Sequence, residues 1–274
     1  MPAKPKLGQH FLNDPQAVER IVAALSPLAG RTVVEIGPGA GAITSALASR
    51  AKHVVAVELD HNLAAQLRTK VSPGQVTIVE QDVLSFDFAA TAINFSAATA
   101  GEALLVVGNL PYYITSPILL KLASSSAALD RAILMVQREV ADRVVAQPGS
   151  RDYGLLSVTL QMYGPAEPLF TLPPDAFSPP PEVHSTVFRW RFTPRFAELG
   201  VDEAGFLRFL RQAFAQKRKT LANNLRATGV SPESAQSAIA RVDIPPLARA
   251  ETLSIETLAA LFRILYPGTS GPPL

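Results

Sequence analysis

The sequence of 274 residues contains no cysteine. That absence excludes disulfides, thiolate metal centres and cysteine nucleophiles, and it fits a reducing compartment. No apolar run reaches the ~20 residues of a membrane-spanning helix, because charges or prolines interrupt every candidate. The amino terminus, MPAKPKLGQHFLND, is basic but lacks the apolar stretch of roughly 7 to 15 residues that a secretory signal needs. A soluble, cytoplasmic chain without membrane contact is expected. Histidine is scarce, and His53, His61 and His184 lack metal-ligand spacing, so no metal is expected. Charge of one sign is also lacking, the net charge being +2 although the pI is about 9.0. A field that weak does not by itself define a polyanionic partner.

What is present describes a globular protein. With 48% hydrophobic and 18% charged residues and a mean hydropathy of +0.20, the chain can bury a sizeable core and is not globally disordered. Its length suits one large domain or two unequal ones. Short β-branched runs at Thr32–Ile36, Val54–Leu59, Val76–Val79, Leu104–Val107, Ile133–Val136, Ser157–Met162 and Val187–Phe192 read as strands. Segments of helical length, such as Ala42–Ala51 and His61–Val71, lie between the early ones. This alternation predicts an α/β fold with a mostly parallel sheet covered on both faces. The last two runs, separated by the proline-rich TLPPDAFSPPPEV, suggest an antiparallel pair at the sheet edge. A loop that long is often functional.

After Phe192 the strand signals stop and helical spacing takes over. The boundary is placed near Arg191–Phe196, dividing the chain into 1–193 and a small all-α part, 194–274. From Gly205 to Val230 there are six basic residues, Arg208, Arg211, Lys217, Arg218, Lys219 and Arg226, and no acidic ones. Read as one helix over Leu207–Leu225, the segment sets Leu207, Leu210, Phe214, Leu221 and Leu225 on one stripe and most of these cations on the neighbouring arc. A turn near Gln216–Lys219 would change that geometry and leave the local charge.

The first strand runs through VVEIGPGAGAIT directly into a helical segment. Glycines at 37, 39 and 41 therefore occupy the first strand-to-helix turn, where a ligand can approach the backbone. Glu58 ends the second strand, 23 residues after Glu35, close to the spacing of a carboxylate that accepts from ribose hydroxyls. Asp82 ends the third. Three successive strand ends thus carry ligand-binding chemistry on one rim, and a nucleoside-containing cofactor follows. Gly37-x-Gly39-x-x-Ala42 also satisfies the dinucleotide fingerprint, which keeps NAD open at this point.

The fourth strand leads into GNLPYYITSPI. An exocyclic adenine amine is a poor nucleophile because its lone pair is delocalised into the ring. Hydrogen bonds from that amine to the Asn109 amide oxygen and the Leu110 carbonyl would favour a pyramidal nitrogen. Pro111 would hold the turn, and the Tyr112 ring can stack on an extruded base.

With these motifs in order, the chain resembles the ribosomal RNA adenine dimethyltransferases, and among them the bacterial small-subunit 16S enzymes. The resemblance rests on GQHFL (Gly8–Leu12), EIGPGAGAIT (Glu35–Thr44), VELD (Val57–Asp60), QDVL (Gln81–Leu84) and NLPY (Asn109–Tyr112). It continues through QREVADR (Gln137–Arg143), FSPPPEVHS (Phe177–Ser185) and FAQKRKTLANNL (Phe214–Leu225). It implies a Rossmann-like class I methyltransferase fold with a seven-stranded, mostly parallel sheet and a helical carboxyl-terminal domain that binds RNA through the six cations. It further implies S-adenosylmethionine as methyl donor and, as substrate, two adjacent adenosines near the 3′ end of 16S rRNA in an immature small ribosomal subunit, each dimethylated, with the chain acting as a monomer. His10 and Leu12 would cover the cofactor, Gly37 would lie beside its methionine part, Glu58 would bind ribose and Asp82 adenine. Asn109 and Tyr112 would position the target base, with Phe177 as its other aromatic wall. The family often has asparagine at the position of His10, so the resemblance carries a backbone contact there rather than a side-chain one. A 23S rRNA adenine methyltransferase, a DNA adenine methyltransferase and a non-catalytic assembly factor on the same fold remain the competing readings, together with a nicotinamide oxidoreductase.

Overall fold

A computed structural model describes residues 10–96, 102–227 and 229–268. Gly8 and Gln9 of the GQHFL motif lie outside them. By internal contacts the chain divides into two compact units, Met1–Ala141 with Pro165–Phe192, and Asp142–Gly164 with Thr193–Leu274.

The first unit begins with strand β1 (Phe11–Leu12) and helix α1 (Pro15–Leu25). Asp14 caps α1 by accepting from the N–H groups of Gln16 and Ala17, and Pro15 sits where its missing N–H costs nothing. Alternation then follows through β2 (Thr32–Ile36), α2 (Ala42–Ala48), β3 (His53–Glu58), α3 (His61–Arg68), β4 (Val76–Glu80), α4 (Phe88–Ser96), β5 (Leu104–Asn109), α5 (Thr115–Ser124) and β6 (Leu129–Gln137). Helices α6 (Arg138–Val145) and α7 (Leu155–Met162) lead to β7 (Ala166–Leu172), β8 (Phe177–Ser178) and β9 (Ser185–Arg191).

Seven strands form one sheet in the order β4-β3-β2-β5-β6-β9-β7. The first five are parallel, and β9 pairs antiparallel with both β6 and β7. Every residue of β2 is buried, as a central parallel strand covered on both faces requires. On one face Val33, Val54, Leu105 and Ile133 join Ile21, Val22 and Leu47 in a single apolar core. From β2 the chain winds outward to β3 and β4, then returns to lay β5 on the other side. That reversal opens a crevice at the carboxyl ends of β2 and β5, where such sheets bind ligands. A separate two-stranded ladder pairs Phe11 with Ser178 and Leu12 with Phe177.

Three expectations need correction. Ser157–Met162 is not a strand but part of α7, whose residues Ser157, Val158, Leu160 and Met162 are buried. Ser157, Thr159 and Gln161 alternate with Val158, Leu160 and Met162, a period of two that reads as a strand over so short a run although the chain is helical there. The antiparallel edge pair exists, but its first member is Ala166–Leu172, a strand hidden in the sequence by Pro168 in its interior. Third, a single cut near residue 193 misplaces Asp142–Gly164, which belongs to the carboxyl-terminal unit. There Tyr163 donates a 2.7 Å hydrogen bond to Glu203, and the Tyr153 and Phe214 rings meet edge to face at 6.2 Å.

The second unit adds helices α8 (Glu203–Ala213), α9 (Leu221–Arg226), α10 (Pro232–Arg241) and α11 (Ile255–Leu265). Its centre holds Phe206, Phe209 and Phe262 with ring centroids 5.4 to 5.9 Å apart. The segment Leu207–Leu225 is two helices rather than one. Helix α8 stops at Ala213, and Thr220 caps α9 by accepting from the Asn223 N–H. The buried face of α8 is accordingly Phe206, Phe209, Leu210 and Ala213, with Leu207 and Phe214 only half-buried.

Candidate active site

The glycine turn after β2 sets the floor of the crevice. Gly37, Gly39 and Gly41 all have positive φ, at 65°, 54° and 88°, a region costly for residues with a Cβ. Two of them also lack room. A Cβ on Gly39 would lie 2.9 Å from the Phe11 ring, and one on Gly41 would lie 2.5 Å from Leu67 Cδ1. Phe11 is therefore packed directly on the glycine turn, and helix α2 starts where the backbone is most closely overlaid.

Glu58, at the end of β3, is 4% exposed. Its carboxylate accepts from the Gly39 N–H at 3.0 Å and the Asp60 N–H at 2.9 Å. Two of its roughly four acceptor positions are thus used to brace the turn, and the others remain for ligand hydroxyls. Asp82, after β4, accepts from the Leu84 N–H at 2.9 Å and lines the same cleft. Glu35 lies beneath, 2% exposed, accepting a 2.6 Å hydrogen bond from the Thr44 hydroxyl. Burial pushes its carboxyl up to about 7, and the nearby Glu58 carboxylate adds to this while the Thr44 bond opposes it.

The fourth wall is the turn after β5. The Leu110 N–H donates to the Met135 carbonyl at 3.0 Å, and the Thr115 hydroxyl donates to the Pro111 carbonyl at 3.0 Å, so the backbone is held at both ends. Asn109 Nδ2 donates to the His10 carbonyl at 2.8 Å. The Tyr112 ring stacks with the His10 ring at 5.6 Å and an interplanar angle of 29°, and His10 Nδ1 bonds the Pro179 carbonyl at 2.8 Å. Residues His10–Leu12 thereby strap three segments together: the glycine turn, the Asn109–Tyr112 turn and the proline-rich loop.

The cleft encloses about 1030 Å³ of space, its opening to solvent included, ample for a nucleoside-sized ligand. His10, Leu12, Gly37, Glu58, Asp82, Asn109, Leu110, Pro111 and Tyr112 all line it. Phe177 does not: its ring is 4% exposed and belongs to the apolar core, and its strand pairs with Leu12. In this structure Phe177 therefore does not form the second aromatic wall that the resemblance implies, because pairing in β8 turns the side chain inward. The sequence reading gave no role to Glu35, Leu59 or Tyr113, which also line the cleft. For Glu35 a signal existed, an acid inside an otherwise apolar strand.

The predicted cations behave unequally. Lys217, Arg218 and Lys219 are exposed on the turn between α8 and α9, Arg211 and Arg226 are exposed on their helices, and Arg208 is half-buried. Two more cations join the turn from distant segments. Lys217 Nζ donates to the Arg151 carbonyl at 3.3 Å, and the Leu221 N–H donates to the Ala248 carbonyl at 2.8 Å, next to Arg249. The Gly149 N–H closes the third side by donating to the Glu251 carbonyl at 2.7 Å. Arg151 and Arg249 are exposed, as is Asp152 beside Arg151, so three loops tied by these bonds carry the basic platform, a proximity that linear spacing could not reveal.

This strand order, with a glycine turn, paired acidic strand ends and an Asn-Leu-Pro-Tyr turn around one cleft, defines a Rossmann-like class I S-adenosylmethionine-dependent methyltransferase. Known proteins agree and narrow the class. The family model for ribosomal RNA adenine dimethylase matches residues 2–266. The ribosomal RNA small subunit methyltransferase A of Acidobacterium capsulatum is 57% identical over 96% of this chain and 91% of its own length. The protein of the same name from Koribacter versatilis is 48% identical over 97% and 95%. Among solved structures, a Plasmodium falciparum dimethyladenosine transferase superposes with a TM-score of 0.75 at 21% identity, covering 92% of this chain and 96% of its own. The 23S rRNA methyltransferase ErmE gives 0.70 at 24%, covering 93% and 99%. The chain belongs to the ribosomal RNA adenine dimethylase family.

Proposed function

We propose that the chain transfers methyl groups from S-adenosylmethionine to the exocyclic N6 amines of two adjacent adenosines near the 3′ end of 16S rRNA, giving dimethyladenosines. The observation that carries this reading is the Asn109–Tyr112 turn, with an amide, a backbone carbonyl and an aromatic ring brought to one cleft beside the nucleoside-binding acids. The relatives at 57% and 48% identity are named as small-subunit methyltransferases, which favours 16S over 23S rRNA.

The cofactor supplies a methyl group made electrophilic by a positively charged sulfur. Glu58 would hold its ribose through the acceptor positions left free by Gly39 and Asp60, and Asp82 would take the adenine. Asn109 Oδ1 and the Leu110 carbonyl would accept from the N–H groups of the target amine, two in the first transfer and one in the second, localising the lone pair that takes the methyl group as its bond to sulfur breaks and a neutral thioether leaves. Tyr112 stacks on the extruded base, and the displaced proton leaves to solvent. No strong base is needed, so positioning provides most of the acceleration. The basic platform would grip phosphates of an immature small subunit, engaged by a single copy of the chain.

The test offers labelled cofactor with small subunits lacking adenine dimethylation, large-subunit precursors and DNA, and identifies the modified nucleoside by mass spectrometry. Dimethyladenosine confined to small-subunit RNA is expected. Label in large-subunit RNA would select the 23S reading, and cofactor binding without transfer would select an assembly factor.

A further inference from the structure

A base-stacking ring works only if its plane is held. Tyrosine has two soft torsions: the first swings the whole ring axis, and the second spins the ring about that axis with a broad, twofold profile. Different partners must restrain them. The Tyr112 hydroxyl lies on the ring axis and shares a 2.7 Å hydrogen bond with the Ser185 hydroxyl. A bond at that atom restrains the swing but not the spin, and the His10 ring against the Tyr112 face restrains the spin.

Ser185 is suited to serve as an anchor. It is fully buried and is the first residue of β9, paired with Gln137 of β6 on one side and Leu172 of β7 on the other. The adjoining His184 carbonyl accepts from the Arg138 N–H at 3.0 Å. Tyr112, by contrast, sits in a single 3-10 turn, Tyr112–Ile114. The hydroxyl bond therefore ties a short turn to the interior of the sheet across 73 positions of sequence. Burial also pushes the Tyr112 hydroxyl above its ordinary value, so it stays a neutral hydrogen-bonding group at physiological pH.

We infer that Ser185 is a positioning residue for methyl transfer, acting through the Tyr112 hydroxyl to fix the axis of the ring against which the target adenine stacks. The inference rests on the proposed role of Tyr112. Ser185 is not a catalytic residue, since it does not line the cleft.

The experiment is a double-mutant cycle on Ser185→Ala and Tyr112→Phe with the full chain and undermethylated small subunits. Each single variant breaks the same bond from opposite ends and leaves the fold's apolar contacts in place. Each is expected to lower kcat about 2- to 10-fold, the range of one neutral hydrogen bond, with cofactor affinity by calorimetry unchanged. The double variant is expected to be no slower than the slower single one. Losses that multiply, or a Ser185→Ala enzyme with unchanged kcat beside a slowed Tyr112→Phe enzyme, overturn the inference. A third variant separates the two layers of the argument. If Tyr112→Ala transfers methyl groups at the parental rate, the stacking role of Tyr112 itself fails, and with it the role of Ser185.

Discussion

Asn109 donates from its side-chain amide to the backbone carbonyl of His10, 99 positions away in sequence, at 2.8 Å. A carbonyl only accepts, so this bond decides which end of the amide is Nδ2. The oxygen is left for the cleft, and among the described residues no donor is bonded to it.

Replacing Asn109 by aspartate would set a carboxylate oxygen against the His10 carbonyl and turn the side chain away. Transfer by Asn109→Asp is expected to fall by about 10²- to 10³-fold, as for the loss of one preorganised catalytic contact. Single-turnover kinetics with saturating cofactor measures it, and a loss confined to KM would refute the orientation argument.

Glu35 makes stability depend on pH in a defined direction. Its carboxyl stands at about 7 in the fold against an ordinary 4.5, so between those values the folded state holds more protons than the unfolded one. Its contribution is complete below about pH 4.5 and is lost as pH rises through 7, with a total on the order of 3 kcal/mol. Urea unfolding of Glu35→Gln from pH 5 to 8 should show a flatter profile and a gain over the parent above pH 7. A parallel pair of profiles would show that Glu35 does not titrate in this range.

Gly41→Ala combines two penalties, a φ of 88° and a Cβ placed 2.5 Å from Leu67 Cδ1. A loss of about 1 to 3 kcal/mol is expected, visible as a lower Tm. Gly149→Ala makes a useful control, since it shares a positive φ, 83°, with nothing within 4 Å of the added atom. It should lose less.

Neutralising Lys217, Arg218 and Lys219 together should weaken RNA binding and reduce the slope of log affinity against log salt by roughly 1 for each phosphate contact removed. Arg151→Ala and Arg249→Ala should each act in the same direction if the three loops form one surface. Filter binding over a salt series is sufficient, and an unchanged slope in the triple variant would remove these residues from the interface.

Much of this was legible in sequence because the signals were local. The glycine turn, Glu58, Asp82 and Asn109–Tyr112 each follow a β-branched run, and parallel strands bring successive strand ends to one rim. Phe177 was not legible. The family resemblance implied an aromatic wall there, yet pairing of Phe177 with Leu12 depends on a partner 165 positions earlier, and that register decides which way the ring points. Arg151 and Arg249 escaped for the same reason, since only tertiary hydrogen bonds tie the loop of Arg151 to Lys217 and that of Arg249 to Leu221. Ser157–Met162 failed differently: its polar and apolar residues alternate as in a strand, yet the segment is helical and packs Ser157, Val158, Thr159, Leu160 and Met162 inside the second unit.

The strap at His10–Leu12 has a consequence for insertions and deletions. The His10 carbonyl meets Asn109, Phe11 covers Gly39, Leu12 enters the core, and the Asn13 N–H donates to the Ala176 carbonyl at 2.9 Å. Four consecutive residues therefore face four different partners, with no spare position among them. Adding or removing one residue would exchange inward and outward side chains and carry the carbonyl away from Asn109, even if every residue type were kept. In this segment the count of residues is as tightly constrained as their chemistry.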